Sequence, residues 1–441
     1  MTRQLQPPAY PADRRRCDDE PEAQSAERAP SSTAALTAVP TGPATAGRTG
    51  APSGLRAAGG VQALAPGTRL IHIGPHKTGT TSVQSALHNA RLPMAEHGVR
   101  YAGRQRHSLE AAVAVTGAGN LLGGKEPLGH YWDELVAEVQ QASEDRVVIS
   151  SEFLSEADDA AMTQILKELG AERPHVLVTL RPLARILSSQ WQQYVQNGLR
   201  TSYANWLEGM LEQAPYTKPT PSFWRRHAHA DLVQRWADAV GADHLTVIVV
   251  DDRDRRMLMD TCESLLGLPH GLLQPLDHLA NRSLTAAEIE LVRRLNVTFR
   301  EQQWPEAVYS RFIRYGSVLA LQKRIPEPDE ARILTPDWAL DRAAEIGRRD
   351  AERIWAMGVQ VIGDPATLGS RPAASGEMEV AATVPTDVAV TAALGAIRAS
   401  GAVDERERPL ERRQVSDVTV PDLAKVVVRR VRRRYRRMIR R

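Results

Sequence analysis

A chain of 441 residues exceeds a typical single domain, and an apolar content of 42% is ample for a core. Its two cysteines, Cys17 and Cys262, exclude a disulfide framework and a cysteine-rich zinc site, and they suit a reducing cytoplasm. The net charge of +3 hides an asymmetry: 422–441 holds ten Lys/Arg and one Asp, which leaves the remaining chain at −6.

The first 30 residues have no apolar core segment, and Asp18, Asp19 and Glu20 interrupt them, so a secretory signal is not expected. Residues 1–66 are rich in Ala, Pro, Thr, Ser and Gly without periodicity and read as a disordered low-complexity segment. Order is expected from Arg69, with a folded domain over 67–363. Short apolar runs at Leu70–Ile73, Val147–Ser150, His175–Leu180 and Leu245–Val250 read as strands. Helical patterns at Thr81–Arg91, Asp158–Leu169, Leu183–Asn197 and Phe223–Val240 fill the gaps. The alternation predicts an α/β fold, a parallel sheet of four or five strands with helices on both faces and a helical C-terminal half.

Beyond the fourth run, Thr285 and Glu288 have the spacing of a capping box, and Thr335–Pro336 open a helix that runs to Gly358. Residues 364–420 read as a poorly ordered linker with one helical candidate at Val388–Ile397. No uncharged apolar run reaches the roughly 18 residues a spanning helix needs.

The first strand leads into Gly74-Pro-His-Lys-Thr-Gly79-Thr80-Thr81-Ser82, a glycine-bounded loop that opens a helix. Such a junction aims unpaired N–H groups and a positive dipole end at an anion. An ATP-type loop places lysine directly after the last glycine. Here that position is Thr80, and the lysine is Lys77, two residues before Gly79. Lysine is scarce in this chain, six among 56 basic residues.

Lys77-Thr78-Gly79-Thr80-Thr81 after the first strand resembles the 5′-phosphosulfate loop of sulfotransferases that use 3′-phosphoadenosine-5′-phosphosulfate (PAPS). In "HVLVTLRPLARILSSQW", Arg181 at a strand end and Ser189 eight residues on resemble the family's 3′-phosphate pair, with Ser188 as a neighbouring alternative. "LTVIVVDDRDRRML" followed by "CESLLGLP" resembles the family's next strand and helix, so the likeness spans about 69–270. The resemblance implies PAPS as donor, bound by Lys77, Thr78, Gly79, Thr80, Thr81, Ser82, Arg181 and Ser189, and no metal. It implies transfer of a sulfuryl group to a hydroxyl of a carbohydrate, glycolipid or small metabolite. Lys77 would stabilise the leaving phosphate. The base lies just after the family's second strand, where this chain has Glu152; His76, inside the loop, is the second candidate.

Asp251 and Asp252 also fit a magnesium-binding strand end, which keeps a P-loop kinase or NTPase as an alternative; here they are read as structural. A non-catalytic nucleotide binder at a membrane surface is the third reading. His107 and His130 read as packing or surface histidines, and most of Trp191, Tyr194, Trp206 and Trp224 as core. "GAGNLLGG" at Gly117–Gly124 lacks dinucleotide spacing and reads as a mobile loop. In the basic tail, 421–441, Leu423, Val427, Val431, Tyr435 and Met438 form one stripe among arginines. Through Lys425–Arg441 it suits an anionic membrane surface on the cytoplasmic side, or docking on the body; nucleic acid is the least favoured partner.

Overall fold

In a computed structural model, residues 61–117, 129–169, 173–213, 216, 218–275, 282–377 and 383–401 are described. Contacts divide the chain into Met1–Ser53, which lies outside the described residues, and Gly54–Arg441. The strands are β1 (Thr68–Gly74), β2 (Val99–Tyr101), β3 (Arg146–Ser150), β4 (Pro174–Leu180), β5 (Leu245–Val249) and β6 (Gln360–Ile362). They form one sheet in the order β2-β3-β1-β4-β5-β6, and every pairing is parallel. The α/β class matches the expectation. The sheet has six strands among the described residues rather than four or five, because β2 and β6 are three-residue edges too short to carry a pattern.

Successive strand side chains point to opposite faces, and both faces are covered. Ile71, Ile73, Val147, Ile149, Val176, Val178 and Val247 pack with Ile165, Trp236 and Ile354. Leu70, Val148, Leu177 and Ile248 face the other way, onto Val83, Leu87, Leu258 and Leu265. This two-sided burial is why the strands read as near-continuous apolar runs. Order begins before Arg69: the Leu64 N–H donates to the Leu265 carbonyl at 2.8 Å, and Arg146 Nε donates to the Leu64 carbonyl at 2.7 Å.

The helix expected over Phe223–Val240 is two, Ser222–His227 and His229–Val240, broken at Ala228 (ψ 84°). A third cluster, remote from the sheet, gathers Trp191, Trp206, Phe223, Ile289 and Leu340 from several helices. The Thr285–Glu288 capping box is formed at the head of the helix Ala286–Glu301. Glu288 is fully buried and is held by Arg282 and Arg324, each at 2.7 Å. Pro336 caps the helix Asp337–Ala356 as expected.

Within 364–420, read as a linker with a helical candidate at Val388–Ile397, that candidate is part of a helix. A helix runs over Thr386–Ser400, after Pro385 and ended by Gly401 in the left-handed region (φ 77°). Val388 and Ala392 bury one face of it. It crosses a π-helical segment, Tyr309–Val318, at paired glycines: a Cβ on Gly395 would lie 2.5 Å from the Gly316 carbonyl oxygen. The basic tail lies outside the described residues, as do most of 1–66 and positions 118–124 of the glycine loop. Among the described residues no helix is long and apolar enough to cross a membrane.

Gly395→Val should force these two helices apart and lower the unfolding free energy by about 1–3 kcal/mol, read in urea titrations.

Candidate active site at the carboxyl edge

β1 is the centre of the sheet: the chain moves from it to β2 and β3 on one side, then returns to β4 on the other. Ligands in open α/β sheets bind outside the strand ends at such a switch point. Three connections meet here: Pro75–Gly79 after β1, Ser151–Glu156 after β3, and Arg181–Pro182 after β4.

The first loop is tightly folded. Gly74 (φ 80°) and Gly79 (φ 93°) are left-handed, and so is Lys77 (φ 68°). For a lysine that conformation costs about 1–3 kcal/mol, so the surroundings must enforce it. A Cβ on Gly74 would meet the Glu152 and Thr80 side chains at 3.0 Å, and one on Gly79 would meet Leu258 at 2.6 Å. Only glycine permits this approach.

Below the loop, buried polar groups are linked. The Thr78 hydroxyl donates to the Pro75 carbonyl at 2.6 Å and lies 2.8 Å from the Thr179 hydroxyl. His72 spans from the Thr179 hydroxyl (3.4 Å) to the Ser150 hydroxyl (2.8 Å). Burial lowers His72 to about 4, so its ring is neutral at pH 7. Among the described residues, no acceptor is bonded to the backbone N–H groups of Lys77, Thr78, Gly79, Thr80 or Thr81. Gly79 is the N-cap of the helix Thr80–Asn89 and gives it no side-chain cap.

Lys77 Nζ donates to Gln193 Oε1 at 2.7 Å. Burial lowers the lysine below its ordinary value, opposed by the nearby Glu152 carboxylate. Glu152 opens a 3-10 turn (Glu152–Glu156), and its Oε2 accepts from Gln84 Nε2 at 2.8 Å. Gln84 is itself buried on the helix behind the loop. Glu152 therefore lies against the loop, held by a neutral amide.

His76 lies deeper. Its ring meets Phe153 edge-on at 4.8 Å, and Nε2 is 3.9 Å from Glu156. Glu156 is taken by Arg226 at 2.6 Å. Burial first, then Arg226, His227, Lys77 and His107, push His76 well below its usual range. His227 is fully buried too, with neither ring nitrogen bonded among the described residues.

At the end of β4, Arg181 donates from Nη2 to Asp252 Oδ2 at 2.7 Å, and Arg185 reaches the same carboxylate at 3.5 Å. The Arg181 Nε is buried and unbonded among the described residues. Ser189 donates to the Ile186 carbonyl at 2.9 Å, so its proton is used locally. Arg185, Ser189 and Gln193 recur every four residues on the helix Leu183–Gln196 and share one face. That face runs from the Asp252 end toward Lys77. Ser188 turns elsewhere, into a cleft of about 470 Å³ with Gln192 and Arg282. Thr80 is buried, Ser82 half-buried and Thr81 exposed.

Both strand-end acids are engaged by arginine. Asp251 accepts from Arg253, which holds its carboxyl at about 2, and Asp252 accepts from Arg181. His107 is half-buried, whereas His130 is exposed, its ring tilted against Tyr131 with centroids 4.0 Å apart. Trp191 and Trp206 are core, as expected. Sequence reasoning passed over Gln84, Gln193, Thr179, Arg226 and His227. A signal existed for two of them: Gln84 is a polar residue inside the buried run Val83–Leu87, and Gln193 stands one turn beyond Ser189.

No protein-family model matches this chain, and no curated protein matches it. Among solved structures the chain is similar to the crystal structure of a sulfotransferase from Alicyclobacillus acidocaldarius. The identity is 15% and the TM-score 0.34, over 53% of this chain and 94% of that one.

His72, His175 and His229 each stand at about 4 in the folded chain, against 6.5 ordinarily. The unfolded chain binds their protons first, so their contribution to stability is complete above pH 6.5 and is lost as pH falls toward 4. The unfolding free energy should drop between pH 7 and pH 5. In His72→Asn the slope should be shallower by up to roughly 1.4 kcal/mol per pH unit.

Proposed function

We propose that this chain transfers a sulfuryl group from PAPS to an acceptor hydroxyl. The observation that carries the reading is the loop itself: five successive N–H groups from Lys77 to Thr81 that are unbonded among the described residues, with the Lys77 and Glu152 side chains beside them. The order Lys77-Thr-Gly-Thr-Thr suits a phosphosulfate, and Thr80 stands where an ATP-type loop needs lysine.

The loop N–H groups and the hydroxyls of Thr80, Thr81 and Ser82 would hold the 5′-phosphosulfate, and Lys77 would supply its positive charge. Arg181, whose Nε is unbonded among the described residues, and Ser189, its hydroxyl turned away from the Ile186 carbonyl, would take the 3′-phosphate; Arg181 would then share its guanidinium between that group and Asp252. The donor supplies the activated sulfuryl group. The new bond joins the acceptor oxygen to sulfur, and the sulfur–oxygen bond to the 5′-phosphate breaks, leaving adenosine 3′,5′-bisphosphate.

Charge grows on the departing phosphate oxygen, and Lys77 with the fixed N–H dipoles stabilises it. The Gln193 amide aims the ammonium and takes no charge from it. Glu152 receives the acceptor proton. Its Oε2 is steadied by Gln84, while among the described residues Oε1 has no hydrogen-bond partner. The acceptor class is a carbohydrate, glycolipid or small metabolite.

Adenosine 3′,5′-bisphosphate should raise the thermal midpoint, and ATP with magnesium should not; the opposite pattern would make the chain a P-loop kinase or NTPase. Lys77→Ala should abolish turnover. Glu152→Gln should keep donor affinity and lower the chemical rate by roughly 10²–10⁴-fold in single-turnover assays. A near-parental rate would pass the role of base to His76. Arg181→Ala should erase the preference for a 3′-phosphorylated nucleotide; an intact preference would remove Arg181 from that role.

A further inference from the structure

The helix Thr386–Ser400 is apolar on both sides. Val388, Ala392 and Gly395 face the body, while Val390, Leu394 and Ile397 line the outer side at 50%, 46% and 47% exposure. A helix apolar all round belongs in a buried setting, so the outer face calls for an occupant. Its neighbour carries exposed apolar side chains of its own. The helix runs antiparallel to Tyr309–Lys323, as the contacts Arg311–Ser400, Gly316–Ala396 and Arg324–Asp387 show. On that neighbour Tyr315 and Leu319 are exposed one turn apart, and Ile325 follows at 89%. Six of the ten exposed large apolar side chains among the described residues fall on this hairpin.

Apart from Asp387 in the first turn of the helix and Glu327 and Asp329 beyond Ile325, its charge is basic. No acid occurs between Glu306 and Glu327 or between Asp387 and Asp404, whereas Arg311, Arg314, Lys323 and Arg398 lie within those stretches. The patch is also the last described element before the +9 segment 422–441. A second copy would set this basic rim against itself, and the chain's own basic tail would bring like charge to it. A surface that is apolar within and negative at its face suits both features.

We infer that the outer face of Thr386–Ser400, with Tyr315, Leu319 and Ile325, seats on an anionic lipid bilayer, and that the basic segment 422–441 adds electrostatic attraction. The apolar side chains would enter the headgroup boundary and the arginines would meet lipid phosphates. This inference is independent of the sulfuryl-transfer reading.

Flotation of the full chain with vesicles tests it. The chain should float with vesicles of phosphatidylglycerol and phosphatidylcholine in equal parts and stay behind with phosphatidylcholine alone, and added salt should weaken binding. Leu394→Asp with Ile397→Asp should lower binding by roughly tenfold or more at an unchanged thermal midpoint. The milder Val390→Ser with Ile397→Ser should fall between that variant and the parent. In a Cys17→Ser background, Leu394→Cys carrying a polarity-sensitive dye should shift to the blue on the anionic vesicles.

Parental flotation of both patch variants would assign binding to the basic tail alone and overturn the inference. So would a parent that never floats, or a dye that does not shift because the tail covers it. Dimers of the parent that dissociate in the aspartate variant, without flotation, would make the patch a self-association surface instead.

Discussion

A chain of four buried side chains, Ser150, His72, Thr179 and Thr78, fastens the candidate site to the sheet. It crosses β3, β1 and β4 in turn and ends in the loop after β1. In a medium of low polarizability each unpaired member would be costly, so the chain specifies one arrangement of strands and loop together. A neutral imidazole is the part that makes it work, since it can donate from one nitrogen and accept at the other. Once this chain is closed, Gly74 is pressed against Glu152 and Gly79 against Leu258, and Lys77 is held in a left-handed conformation it would not choose.

The same rigidity sets the electrostatics. Lys77 gives up part of its hydration on burial, which lowers its proton affinity, and Glu152 returns some of it. Each charged end rests on a glutamine: Gln193 accepts from the ammonium and Gln84 donates to the carboxylate. Amides fix direction without neutralising charge. By contrast the charges one layer out are matched, Arg226 with Glu156 and Arg181 with Asp252. Arg181 is the adaptable member, because a guanidinium has donors to spare after one carboxylate contact.

Away from the site, the C-terminal half follows a different logic. Its helices pack around Trp191, Trp206 and Phe223, and its buried Glu288 is neutralised by two arginines. The outer helix Thr386–Ser400 attaches through glycine and alanine, which allow close backbone approach but leave its larger side chains facing out. Attachment and exposure are thus two results of one sequence choice.

Local chemistry made much of this legible in the sequence. Apolar runs buried on both faces marked β1, β3, β4 and β5, and glycine spacing marked the loop. The Thr285–Glu288 box and Pro336 marked two helix starts, because caps are contacts between near neighbours in the chain. Tertiary structure alone decided what depends on distant partners. Edge strands β2 and β6 exist only because a neighbouring strand offers bonds to so short a segment. The break at Ala228 follows the packing of His227 and His229 on either side of it. The partners Gln84, Gln193, Asp252 and Thr179 stand up to 116 residues from the groups they hold. No sequence period links such positions; only the parallel sheet, which returns every crossover to the same edge, brings them together.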